Sequence, residues 1–180
     1  GKTSYLGPLI TDEPRRLVSS AYLGAQYCYE NYVGGDPASL GFDVKWIGFW
    51  FNIPGVTADP TQVAHNFYNT GHDVVISGID TTEALVVARQ KRQGGKEVWA
   101  IPYDYKGACS GGPEVCLGVP YFNWGPAYKR IAEAVIDPVR PGTALCLFPT
   151  KALAHDQLRA FGGLAVADLV AATYDGDADR

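Results

Sequence analysis

The sequence predicts an α/β fold: a three-layer domain in which a parallel sheet carries helices on both faces. Three observations predict it. Short β-branched apolar runs alternate along the chain with segments whose apolar residues recur at helical spacing. The run Val74-Val75-Ile76 is continuously apolar, as a strand covered on both faces requires. Glycine and proline clusters separate the runs at lengths that suit βα units.

The elements follow in order. Lys2 to Leu6 reads as the first strand, and Pro8 with Asp12 to Pro14 as the turn after it. A helix is expected from Glu13 to Tyr32, with Leu17, Ala21, Gly24 or Ala25, and Cys28 as its apolar face. Gly34-Gly-Asp-Pro37 stops it. Phe42 to Phe51 reads as an aromatic-rich strand leaving through Asn52-Ile-Pro-Gly55. Neighbours in a strand face opposite sides, so Trp50 and Phe51 are expected in different layers. Asp59-Pro60 starts a helix with proline at its first position, Val63 and Phe67 inward, and Gly71 as its stop.

The chain's central stretch is Asp73 to Glu83, a buried strand running directly into a helix. Asp80 with Glu83 three residues later is a helix-start signal, the carboxylate accepting orphan N–H groups of the first turn. The helix from Thr82 to Gln93 ends at Gly94-Gly95. Val98 to Pro102 is the next strand, with Asp104 just past its end. A short strand at Leu117 to Val119 and a helix from Pro126 to Ile136 follow. Asp137 to Gly142 reads as a linker, then Thr143 to Phe148 as a strand, Lys151 to Phe161 as a helix and Val166 to Tyr174 as another strand.

Composition narrows the function. With 180 residues, 47% hydrophobic and 19% charged, the chain has enough apolar material for a folded α/β core. A net charge of −4 argues against a nucleic-acid surface. No apolar run approaches a membrane span, and the opening residues lack the pattern of a secretory signal. Cys109 and Cys116 flank a Gly-Gly-Pro loop and could close a small disulfide or stand as two thiols. No CxxC or histidine spacing near them suits a metal, so neither metal nor cofactor is expected.

In an open α/β sheet, ligands sit at the carboxyl ends of strands. Three loops fall there: Trp50-Phe51-Asn52, Asp80-Thr81-Thr82 and Asp104, with Tyr121-Phe122-Asn123-Trp124 nearby. Aromatic faces beside carboxylates and amides suit a small solute with a flat ring and hydroxyl groups. Catalytic arrangements are not visible. His65 and His72 lack a nucleophile at recognisable spacing, no G-x-S-x-G occurs, and Gly1-Lys2-Thr3 lacks the glycine-rich half of a phosphate loop. A binding protein, not an enzyme, is expected.

Four stretches together resemble the basic membrane protein family: Asp43 to Pro54, Gly71 to Asp80, Val98 to Asp104, and Pro120 to Tyr128. These are nucleoside-binding lipoproteins that serve ABC importers. The similarity covers residues 1–137 and corresponds to the second lobe of a periplasmic-binding-protein-like fold, whose ligand normally lies between two lobes. The resemblance implies an extracytoplasmic site and a transporter permease as partner. It further implies that Trp50 stacks on the base, that Asp80 lines the loop, and that Asp104 holds ribose hydroxyls. The pattern departs from the family at Pro102-Tyr-Asp-Tyr-Lys106, where a second aspartate is lost, and at Phe122, where nucleoside binders carry lysine. A nucleoside-like or other small organic solute is therefore the expectation.

The tail, 138–180, resembles something else. Leu147 to Arg159 and Ala172 to Asp177 are similar to motifs of DEAD/DEAH-type helicases, which implies Thr150 and Lys151 on a nucleic-acid backbone. Acidic side chains outnumber basic ones there, so no basic groove is expected. The alternatives are thus a helicase fragment or an inactive fusion.

Overall fold

The computed structural model describes residues 1–136, 158–160, 162–163 and 170–172. The chain divides into two compact units, Gly1–Phe122 and Asn123–Arg180.

The first unit is the expected α/β fold. Four strands, β1 (Lys2–Gly7), β2 (Gly41–Trp46), β3 (Val74–Ser77) and β4 (Trp99–Ile101), form one sheet in the order β2-β1-β3-β4. Every pairing is parallel; Tyr5, for example, lies between Val44 and Ile76. Parallel neighbours need a crossover, and each is a helix: α1 (Asp12–Cys28), α2 (Pro60–Asn69) and α3 (Glu83–Gln93). The chain leaves β1 for β2 on one side and returns across it to β3 on the other. Right-handed crossovers then set α1 on one face and α2 with α3 on the opposite face.

The core follows this geometry. Leu6, Val75 and Ala100 point toward α2 and α3 and pack with Val63, Phe67, Tyr68, Leu85 and Val87. Tyr68 is fully buried, and its hydroxyl donates to the carbonyl of Trp99 at 2.8 Å, which satisfies its polar tip. On the other face, Tyr22 of α1 packs against Phe42 with ring centroids 5.2 Å apart. Asp59 caps α2 by accepting from the N–H groups of Thr61 and Gln62, with Pro60 in the first turn as expected. His72, buried after α2, faces the Phe67 carbonyl with Nδ1 and the Asp43 carboxylate with Nε2, at 2.9 and 2.8 Å. This ties the edge strand β2 to the end of α2.

Several boundaries differ from the sequence expectation. The second strand stops at Trp46 instead of reaching Phe51. Gly48 adopts φ 99, which ends the extended run, so Phe49, Trp50 and Phe51 stand in a loop and strand alternation does not govern them. The first helix ends at Cys28 and passes into a wider turn, Tyr29–Val33, before Gly34 at φ 72 stops it. Its inward face is Leu17, Val18, Ala21, Tyr22 and Ala25; Gly24 and Cys28 are exposed. No strand forms at Leu117–Val119. Single bridges, Ala100 to Cys116 and Asp104 to Tyr121, flank the segment, and the Leu117 N–H donates to the Ala100 carbonyl.

In the second unit, α4 (Gly125–Val135) matches the predicted helix within a residue. The rings of Trp124 and Tyr128 stack at 6.1 Å. Residues 158–160 and 162–163 are helical, and 170–172, where a strand is expected, are not in a strand. The linker from Asp137, the strand from Thr143 and most of the helix from Lys151 lie outside the described residues.

Candidate ligand-binding site

The strand order reverses between β1 and β3, and there the loops after the two strands diverge to opposite faces. Such a switch point leaves a crevice at the carboxyl edge. Four loops of the first unit meet along this edge. The loop after β1 leads into the first turn of α1 and brings Glu13, an acidic residue favoured at a helix start. The loop after β2 brings Trp50. The loop after β3 brings Asp80 and Thr81, and the loop after β4 brings Tyr103 and Asp104.

Electrostatics tie these groups together. The Asp80 carboxyl is pushed up to about 6, first by desolvation and then by the negative charges of Asp104 and Glu13. Burial raises the Tyr103 hydroxyl well above its ordinary range, and Glu13, Asp104, Tyr5 and Asp80 all add to it. Tyr103 therefore stands among three carboxylates and a second phenol. Each of these influences disfavours negative charge. Among the described residues no group of three or more His, Cys, Asp or Glu is arranged to hold a metal ion.

Backbone contacts fix the rim. The N–H of Asp80 donates to the Trp50 carbonyl at 2.8 Å, joining the loops after β2 and β3. The Trp50 ring is half-buried and meets Phe49 edge-on at 5.4 Å. Asp104 has φ 82, a left-handed backbone that an aspartate adopts more readily than most residues. Its N–H donates to the Pro120 carbonyl at 3.1 Å, drawing the segment before Phe122 alongside. The Phe122 ring then stands edge-on to Tyr103 at 6.1 Å.

Asp80 is not the helix cap. Thr82 holds the N-cap position of α3 without a side-chain bond, and Asp80 lies two residues ahead of it. Asp80 makes no cap bond to the first turn and is exposed at the strand end. Thr81 is half-buried, and its hydroxyl oxygen is buried without a hydrogen-bond partner.

The sequence-predicted residues thus separate. Trp50, Asp80, Thr81, Asp104 and Phe122 come together on one edge. Phe51 is 44% exposed and packs on Phe49 at 4.8 Å. The Asn52 side-chain oxygen accepts from the Thr57 hydroxyl at 3.1 Å, which serves the loop's own turn. Asn123 belongs to the second unit, at the approach to α4. Thr150 and Lys151 lie outside the described residues. Three residues of the cluster escaped sequence reasoning: Glu13, Tyr103 and Tyr5. The loop after β1 and the strand order were the missing signals, because only the order β2-β1-β3-β4 makes β1 and β3 neighbours at the switch point.

A shallow, open depression lined by Lys2, Gly41, Gly71 and Asp73 lies at the opposite, amino edge of the sheet. It lacks aromatic lining and sits away from the strand ends that carry the cluster. Comparison with protein-family models, with curated proteins and with solved structures gives no match for this chain.

Proposed function

We propose that this chain is a solute-binding lobe without catalysis, holding a small hydroxylated solute with a flat, nucleoside-like ring at the carboxyl edge of its sheet. The observation that carries this reading is the convergence of Asp80, Asp104 and Glu13 around Tyr103 at the switch point, beside the Trp50 loop. Carboxylates accept hydrogen bonds from hydroxyls, and aromatic faces cover a ring. No nucleophile–base pair stands among these side chains, which suits retention of a solute over its conversion. The motifs that resemble the basic membrane protein family lie on these same loops, which supports a role beside an ABC-transporter permease in an extracytoplasmic setting. On this reading the Cys109–Cys116 disulfide persists because that setting is oxidising.

Titration calorimetry of the chain with adenosine, guanosine, inosine, cytidine and uridine tests the proposal. Binding by at least one, lost in Asp104→Ala while that variant still melts cooperatively, is the expected result. Heat of binding from none of the five by the well-folded chain overturns it.

A further inference from the structure

The floor of the crevice is a phenol. Tyr5 is 3% exposed, in the middle of β1, yet its ring leans along the strand toward the carboxyl edge. Its backbone partner on β3 is Ile76, but its hydroxyl lies beneath Gly78, two residues further on. A Cβ at Gly78 would stand 2.4 Å from the Tyr5 oxygen, so only glycine leaves that hydroxyl room. The oxygen lies close enough to Glu13 and Tyr103 to be coupled to both. No protein hydrogen bond ends on it among the described residues, whereas the other deeply buried phenol, Tyr68, is bonded to Trp99. The oxygen is not one of the buried polar atoms left without a partner, so it reaches the surface beside the cluster, where it can donate to a ligand.

We infer that Tyr5 is a ligand-contact residue, whose O–H donates to a hydroxyl oxygen of the solute at the β1/β3 switch point. The inference rests on the solute-binding reading and adds a contact residue to it. Ionised carboxylates only accept, so Asp80, Asp104 and Glu13 offer acceptors to a ligand's O–H groups. Tyr5 offers a donor in the same place. A hydroxyl satisfies both at once, giving its proton to a carboxylate and taking the Tyr5 proton on its oxygen. A vicinal diol does this twice, whereas an amine head lacks the acceptor. Gly78 is then the aperture through which the hydroxyl meets the solute.

The test uses the ribonucleoside that binds most tightly, with its 2′-deoxy and 3′-deoxy analogues, on wild type, Tyr5→Phe and Asp104→Ala. Tyr5→Phe removes one oxygen and no protein hydrogen bond, so the free protein keeps its melting temperature. Affinity for the ribonucleoside falls about tenfold, the loss of one hydrogen bond. One deoxy analogue binds wild type more weakly, and for that analogue the Tyr5→Phe effect disappears. Unchanged affinity in Tyr5→Phe alongside loss in Asp104→Ala overturns the inference and leaves the solute-binding reading standing. So does a fall of more than about 4 °C in the free protein, since that would mean the oxygen bonds the protein itself. No nucleoside bound by wild type sinks both.

Discussion

The N–H of Asp80 donates to the carbonyl of Trp50 at 2.8 Å, across the loops that follow β3 and β2. The two strands are not neighbours, because β1 lies between them. This bond closes the carboxyl edge over the end of β1 and holds an aromatic loop beside a carboxylate. It is made by main-chain atoms, so the Trp50 side chain is free to serve something else.

Trp50→Ala therefore separates two roles of the tryptophan. The main-chain bond survives the substitution, and the half-buried ring gives up its edge-on contact with Phe49. Affinity for a ring-bearing solute is expected to fall by about 1–3 kcal/mol, the range for an aromatic stacked on a base. Melting should move little. Calorimetric titration beside a thermal scan checks both; a large melting loss with affinity intact would make the ring structural.

Asp80 gives a pH signature with two opposed arms. Its folded-state pKa stands at about 6, above the ordinary value of 3.8. A group raised in this way contributes stability that is fully present below its unfolded pKa and lost as pH rises through the folded one. The free protein should thus gain stability as pH falls from about 7 to about 4, as far as this residue governs it, and Asp80→Asn should remove that gain and stabilise the chain at neutral pH. Solute binding moves the other way, because the protonated carboxyl is a poorer acceptor. Melting curves and titrations at pH 5 and 7.5, on wild type and Asp80→Asn, check the pair of signs. Parallel trends would refute the assignment.

The fold was legible because its signals are local. The apolar run Val74 to Ile76, the Asp59-Pro60 cap and the glycine stops each act within a few residues, and the elements formed where they pointed. The misread positions share a different property. Gly48 sits inside an aromatic run that reads as strand, and only its φ of 99 shows where the extended chain ends. Asp80 has the spacing of a cap, yet Thr82 took the position. Tyr5 and Glu13 could not be assigned to the site from their surroundings in sequence. Both reach it through strand order, a non-local property that periodicity does not encode. Asp104 was legible as a strand-end carboxylate, but its left-handed backbone and its bond to Pro120 depend on a segment sixteen residues away.

That segment is held by the Cys109–Cys116 disulfide, and its reduction should weaken both fold and site. Val115 is fully buried, and its carbonyl accepts from Ala100 at 2.9 Å; Leu117 returns a bond to the Ala100 carbonyl at 3.0 Å. The chain from Cys116 thus lies along β4 and continues to Pro120, which takes the Asp104 N–H. The disulfide ties the start of this segment to Cys109, in the short helical turn Ala108–Gly111. A bridge closing a loop this short restricts the unfolded chain by about 2.5 kcal/mol. Opening it should lower the melting temperature by about 5–10 °C. Because the freed segment carries Pro120 and Phe122, affinity should fall further than stability alone explains. The comparison is oxidised wild type, wild type reduced by dithiothreitol, and the double variant Cys109→Ser/Cys116→Ser, each titrated well below its melting point. Reduced and double-variant chains should match each other and bind more weakly than the oxidised chain. Equal affinity in all three, despite the lower melting temperature, would mean that Asp104 keeps its backbone through Pro120 alone.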